Sequence, residues 1–283
     1  MSADPLSVPN LFSVAGKTVV LTGASGFLGR TFARVFLANG ARVVALGRSE
    51  RLLNEAEGWA KEFGAGLISV HRVDMYDLEE LGRTLDRIVS AEASIDILVN
   101  NAHELGPGTG FNVPQGALEA ATIDTWMRNL TGGVYWAALT TQKLGAKMRE
   151  QHAGSIVNIS TMYALVAPRP QLYEGTNFIN PPGYSASKAA LLSFTRYVAS
   201  FWGMHGVRAN AILPGPFSNT EDTAGANAVK GDDPFLSRLK GYTCLGRIGK
   251  PNELAGALLF LASDASSFMT GQSLVVDGGW TAV

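Results

Sequence analysis

Seven short runs of β-branched and other apolar residues recur along the chain, separated mostly by longer amphipathic stretches. The runs are Thr18–Thr22, Arg42–Leu46, Leu67–Val73, Ile95–Val99, Ser155–Ile159, Ala209–Leu213 and Ser273–Val276. Four are nearly uninterrupted in Val, Ile and Leu, as strands buried on both faces are. The helical candidates between them are Leu28–Asn39, Arg51–Phe63, Leu78–Ala91, Ile123–Glu150, Tyr184–His205 and Asn252–Leu261. Such alternation implies a parallel sheet with right-handed crossovers and helices on both faces. The pattern predicts an α/β fold, a single doubly wound domain over residues 1–283 on a seven-stranded parallel sheet. In that architecture a ligand sits beyond the carboxyl ends of the strands, at the switch in strand order.

Composition narrows the function classes. Hydrophobic residues are 46% and charged residues 17% of the 283, which excludes a disordered chain. With 23 Lys+Arg against 24 Asp+Glu and no like-charge run, the footprint of a nucleic-acid binder is missing. Cys244 is the one cysteine and the four histidines are scattered, so neither an internal disulfide nor a metal site is expected. The N-terminal MSADPLSVPNLFSVAGK has no basic and then apolar region of a signal peptide. The longest charge-free stretch, Gln151–Pro168, is too rich in Ser, Asn, Thr and Gly to span a membrane. A soluble, cytoplasmic protein without nucleic-acid or membrane partners is predicted.

The 32 glycines exceed the about 20 that average usage would give, and several fall where chemistry is expected. The first strand runs into Thr22-Gly23-Ala24-Ser25-Gly26-Phe27-Leu28-Gly29, then a helix. Glycines there permit a tight turn, close approach of backbone to a pyrophosphate and close helix packing, with the helix N-terminus facing the phosphates. This predicts a Rossmann-type dinucleotide site at Gly23, Ser25, Gly26, Phe27, Leu28 and Gly29. The second strand ends in Gly47-Arg48 rather than in the acidic residue that binds a ribose diol. A cation suits a 2′-phosphate, so NADP is preferred to NAD. Asp74 and Met75 follow the third strand; Asp74 either accepts from the adenine or caps the next helix. Asn100-Asn101-Ala102 close the fourth strand, where buried amides either brace the sheet or touch the cofactor.

Tyr184 and Lys188 lie four residues apart and so share one helical face. A neighbouring cation favours the phenolate, and the pair can then exchange a hydroxyl proton while a nicotinamide exchanges a hydride.

Taken in order, the glycine turn, Asn100-Asn101-Ala102, Tyr184-Ser185-Ala186-Ser187-Lys188, Pro214-Gly215 and Asp277-Gly278-Gly279 resemble the short-chain dehydrogenase/reductase family. Gly246–Ala255 and Phe260–Ser263, continued through Thr270-Gly271, do so as well. The resemblance covers about Phe12 to Trp280. It implies an NAD(P)-dependent oxidoreductase that interconverts a secondary alcohol and a ketone, with Tyr184 as proton donor and acceptor. It further implies that Lys188 lowers the Tyr184 pKa and binds the nicotinamide ribose, and that Asn129 holds a proton-relay water. Counted from Gly154, the substrate-orienting serine of the family falls on Thr161, with Ser160 as the alternative. Pro214, Gly215 and Phe217 match cofactor positions, as do Asn101 and Ala102. A homotetramer or homodimer built on the long helices is implied too.

The chain departs from that pattern in four places. Gly23, Gly26 and Gly29 are spaced as in the family's longer, sugar-nucleotide-modifying subgroup, whereas the rest of the chain favours the shorter one. That spacing is the one support for epimerase or dehydratase chemistry. His103 stands where glycine usually follows Asn-Asn-Ala. The segment between Thr161 and Tyr184 is enlarged, and its Ala167–Phe178 loop is expected to shape the substrate pocket. Asn219 and Thr220 displace the usual threonine, and Ser218–Asp233 reads as a lid. Regions 162–183 and 216–240 are thus the expected substrate loops. The Tyr, Glu, Asn and Arg of the enlarged loop suggest a sugar, polyol or sugar acid as the small-molecule substrate. A 3-oxoacyl thioester or hydrophobic ketone is the alternative, and a non-catalytic nucleotide sensor the rival of another class.

Overall fold

The computed structural model describes residue 4, residues 6–217 and residues 234–283. Seven strands, β1 (Thr18–Thr22), β2 (Arg42–Gly47), β3 (Ile68–Arg72), β4 (Ile97–Asn100), β5 (Gly154–Ile159), β6 (Val207–Pro214) and β7 (Ser273–Val276), form one sheet. Their order is β3-β2-β1-β4-β5-β6-β7 and every pairing is parallel. The order reverses direction between β1 and β4, which is where the carboxyl ends part to leave a crevice. The helices are α1 (Val8–Leu11), α2 (Phe27–Ala38), α3 (Arg51–Phe63), α4 (Leu78–Ala91), α5 (Ile123–Leu130), α6 (Trp136–Glu150), α7 (Pro182–Trp202), α8 (Pro234–Gly241) and α9 (Ala255–Ala262).

Successive strand residues point to opposite faces, and the two faces carry separate cores. Val19 and Leu21 of β1 join Val43, Ala45, Ile97 and Val99 against Phe32 and Phe36 of α2, Trp59 of α3 and Leu258 of α9. Val20 joins Val44, Leu46 and Leu98 against Leu81, Leu85 and Ile88 of α4, Leu144 of α6 and Val198 of α7. Both faces are therefore covered, as the uninterrupted apolar runs require.

Several predicted boundaries move, each for a visible reason. β3 begins at Ile68 because Ala65–Leu67 forms a 3₁₀ turn. β4 begins at Ile97 rather than Ile95 because Asp96 caps its neighbours. Its carboxylate accepts from the Thr18 amide at 2.7 Å and its carbonyl from the Ser155 amide at 2.9 Å. The predicted helix 123–150 is α5 and α6 joined by a π-helical turn, Thr131–Tyr135, in which Gly133 meets α7: a Cβ there would lie 2.0 Å from Ser187 Oγ. The predicted helix 252–261 starts as a 3₁₀ turn, Pro251–Leu254, before α9. The short α1 and α8 carry too few residues to show a helical period and were not predicted.

Beneath the crevice runs a buried polar chain. Asn100 Nδ2 donates to Asn158 Oδ1 at 2.8 Å, Thr140 Oγ1 donates to Asn100 Oδ1 at 2.6 Å, and Asn158 Nδ2 donates to Thr195 Oγ1 at 2.9 Å. These bonds tie β4 and β5 to α6 and α7. Replacing Asn158 with Ala strands part of this network and leaves a cavity, at a cost of about 2–3 kcal/mol. Thermal denaturation of Asn158→Ala should show Tm lower by roughly 4–12 °C; a fall under about 2 °C contradicts this role.

Candidate active site

A cavity of about 450 Å³ opens at the carboxyl ends of β1, β2, β4 and β5. Its floor is the glycine turn. Gly23 has φ +65°, and a Cβ on it would come within 2.9 Å of Ala102 Cα. Gly26 is the N-cap of α2, with no side-chain cap and no acidic residue in the first turn, so the helix N-terminus presents free amides to the cavity. A turn with no room for a side chain at Gly23, ending in an open helix N-terminus, fits a dinucleotide pyrophosphate. Ser25, Gly26, Phe27 and Leu28 line the cavity beside Gly23, but Gly29 does not. Gly29 lies beneath the turn, where a Cβ would stand 2.1 Å from the Gly23 carbonyl oxygen; its part is packing.

The two amides that end β4 divide the roles open to them. Asn100 braces the sheet. Asn101 Nδ2 donates to the carbonyls of Thr22 and Gly23, both at 3.1 Å, and Thr22 Oγ1 accepts from the Asn101 and Ala102 amides. Asn101 and Ala102 also line the cavity, as do Asp74 and Met75. Asp74 does not cap α4: its carboxylate accepts from the Tyr76 amide at 3.1 Å, while Asp77 caps the helix through the Glu80 amide at 2.9 Å. Arg48 lines the rim, and its Nη2 donates to Glu104 Oε1 at 3.2 Å. Pro214, Gly215 and Phe217 close the far wall.

Tyr184, in the first turn of α7, and Lys188, one turn on, face the cavity together with Thr161, just past the end of β5. Lys188 Nζ is buried and donates to the Ile159 carbonyl at 2.8 Å. Burial holds its pKa down at about 8. Burial also pushes the Tyr184 phenol up to about 12, against a lowering by the Thr161 hydroxyl beside it. Desolvation is the largest influence on the phenol, and the Lys188 ammonium is held by a backbone carbonyl. Thr161, not Ser160, is the hydroxyl that faces the tyrosine. Ser160 also borders the cavity, but its Oγ donates to the Lys188 carbonyl at 3.0 Å, which ties β5 to α7.

Asn129 is buried and does not line the cavity. Its Nδ2 donates to the carbonyls of Thr109 and Thr125, both at 2.8 Å, and its Oδ1 has no protein donor, an acceptor open to a water. His103 lines the cavity with its ring against that of Tyr184, centroids 5.0 Å apart, while Phe111 meets the same tyrosine at 5.2 Å. Burial and the Lys188 charge push the His103 pKa well down, so its imidazole is neutral.

The enlarged loop does not border this cavity. Leu172 and Tyr173 turn inward, packing with Tyr163, Phe235, Tyr242 and Trp280 against Tyr184. Arg169 lies over the rings of Tyr242 and Trp280, at 4.6 and 5.9 Å. Asn219, Thr220 and the expected lid 218–233 fall outside the described residues. Reasoning from sequence missed Glu104 and Arg128, which are charged residues in contact across the fold; the carboxylate two residues past Asn-Asn-Ala was the available signal. Among the described residues no group of His, Cys, Asp and Glu is arranged to hold a metal ion, and no helix is long and apolar enough to cross a membrane.

Comparison with known proteins bears on this geometry. A family model described as enoyl-(acyl carrier protein) reductase matches residues 23–281. A galactitol 2-dehydrogenase (L-tagatose-forming) of Cereibacter sphaeroides is 33% identical, over 96% of this chain and 97% of its own. The gluconate 5-dehydrogenase of Gluconobacter oxydans is 33% identical over 98% and 99%. The crystal structure of a gluconate 5-dehydrogenase from Burkholderia cenocepacia, in complex with NADP and tartrate, superposes with a TM-score of 0.82 at 28% identity, covering 98% of this chain and all of that one. Matched over nearly its whole length in both sequence and fold, the chain belongs to the short-chain dehydrogenase/reductase family and is an NAD(P)-dependent oxidoreductase acting on CH–OH groups.

Proposed function

We propose that the protein interconverts a secondary alcohol of a sugar, polyol or sugar acid with the matching ketone, using NADP(H) in preference to NAD(H). The observation that carries the reaction is the meeting of Tyr184, Thr161 and Lys188 at the wall of the glycine-floored cavity. The substrate class is supported by the full-length likeness to galactitol and gluconate dehydrogenases. Arg48 at the end of β2, and a structural neighbour crystallised with NADP, support the cofactor preference.

The nicotinamide supplies or accepts the hydride when bound. In the reducing direction the Thr161 hydroxyl and the Tyr184 phenol donate hydrogen bonds to the carbonyl oxygen and hold it in one orientation. As that oxygen gains charge, Tyr184 gives it the phenolic proton. The Lys188 ammonium then steadies the phenolate by its charge. The free Oδ1 of Asn129 anchors water from which the proton is restored. The desolvated phenol, with its pKa near 12, begins as the acid that reduction requires. Oxidation requires its phenolate, so that direction gains rate as pH rises, whereas reduction stays level until pH approaches that pKa.

Regions 162–183 and 216–240 serve in this reading as substrate loops: packing of Tyr173, Tyr163 and Trp280 onto Tyr184 supports the first. We infer further a homotetramer or homodimer joined along the long helices. Exposed Met127 and Tyr135, and the stacked pair Tyr197 and Phe201, 4.3 Å apart and each more than half exposed, support such an interface. A cytoplasmic location agrees with a chain whose one cysteine leaves it without an internal disulfide.

Tyr184→Phe should lower kcat for polyol or sugar-acid oxidation by at least about 100-fold while cofactor titration still reports binding; retained turnover overturns the assignment. Lys188→Met should move the rising limb of the pH profile for oxidation upward by about one unit, since a positive neighbour of the phenolate is lost; an unmoved limb argues against that role. Sedimentation velocity should return a dimer or tetramer, and a monomer across micromolar concentrations contradicts the proposed interface.

A further inference from the structure

Arg48 and Glu104 reach each other from either side of β1, one from the end of β2 and the other from the loop after β4, and both line the cavity. Their two ends of the ion pair differ in freedom. The Arg48 side chain is 56% exposed and that of Glu104 15%. The second carboxylate oxygen of Glu104 accepts from Arg128 Nη2 at 2.7 Å. Arg128 is itself held flat, its guanidinium 4.0 Å from the centre of the Tyr76 ring and its Nε where a Cβ on Gly108 would come within 2.9 Å. Burial pushes the Glu104 carboxyl up, but Arg128, Tyr76 and Arg48 outweigh it and hold the group below its ordinary value, so it stays ionised.

The carboxylate is therefore the fixed member of the pair and the Arg48 guanidinium the movable one. A 2′-phosphate gripped by Arg48 would share that guanidinium with a carboxylate that Arg128 holds in place. The two anions share one cation and repel each other, whereas a dinucleotide with a free 2′-hydroxyl meets no such charge. We propose that Glu104 is a specificity-determining residue that restrains the preference for a 2′-phosphorylated dinucleotide, keeping the unphosphorylated form usable. The inference rests on the reading of Arg48 as the 2′-phosphate contact.

Isothermal titration of NADP⁺ and NAD⁺ into the wild-type protein, Glu104→Gln, Glu104→Ala and Arg48→Ala tests it without turnover. Glu104→Gln keeps the side-chain shape and removes the charge; Glu104→Ala removes the charge and its tether alike. In both, the ratio of the NADP⁺ to the NAD⁺ dissociation constant should fall by about 3- to 10-fold. An unmoved or rising ratio in either variant overturns the inference, a rise meaning that Glu104 organises Arg48 for the phosphate. Arg48→Ala should raise the ratio. If it does and the Glu104 variants leave the ratio alone, only the role of Glu104 falls; if it does not, the 2′-phosphate reading falls with it.

Discussion

At the junction of β1 and β4 the chain has no room for a side chain. The Gly23 turn sits against the Ala102 backbone, and the Gly29 position of α2 sits against the Gly23 carbonyl. The Asn101 amide stitches the two strand ends together through the Thr22 and Gly23 carbonyls. The glycine-turn side of the cavity is placed by this contact. It fixes how closely α2 approaches the sheet, where its free amides point and how deep the cavity is. An active site on this fold is thus set first by steric exclusion and only then by the chemistry of its polar groups.

Electrostatics at the site works against the groups when each is taken alone. Desolvation makes Tyr184 a weaker acid and Lys188 a weaker base than either is in water. The same desolvation strengthens any interaction between them and a reacting oxygen. The protein tolerates a buried lysine because the Ile159 carbonyl accepts a hydrogen bond from its Nζ at 2.8 Å. The same helix satisfies Ser160 through the Lys188 carbonyl, so β5 and α7 exchange hydrogen bonds in both directions at this point. The geometry of the tyrosine is set by rings, with His103 and Phe111 on its flanks.

Much of this is legible in the residue order because parallel strands buried on both faces must be continuous in Val, Ile and Leu. Four of the seven strands were readable in that way and the rest from the strand–helix alternation, and so was the glycine turn, whose spacing declares its steric purpose. Counting from Gly154 lands on Thr161, whose hydroxyl stands beside the Tyr184 phenol. What stayed hidden depends on contacts between distant residues. The π turn at Thr131–Tyr135 leaves the apolar pattern of the long helix nearly intact, so nothing in 123–150 marks it beyond two adjacent glycines. The polar residues of the enlarged loop read as a wall of the substrate pocket, yet the loop does not border the described cavity and Leu172 and Tyr173 anchor it in an aromatic cluster. The pairings of Glu104 with Arg48 and Arg128 span 56 and 24 residues, and no local pattern encodes them.

The strand order also bears on how the chain is made. β1 lies between β2 and β4, but its partner on one side ends at Asn100, 78 residues after Thr22. At about 5–20 residues per second of synthesis, that edge of β1 waits roughly 4–16 s for its neighbour. Val19 and Leu21 are fully buried in the finished protein, and for that interval they border an open strand edge. The same inner position that lets β1 carry the glycine turn makes it the one strand of the first three that waits for a partner beyond them. A nascent chain of this topology therefore carries an unpaired β1 edge, open to association with other chains, until the fourth strand has emerged.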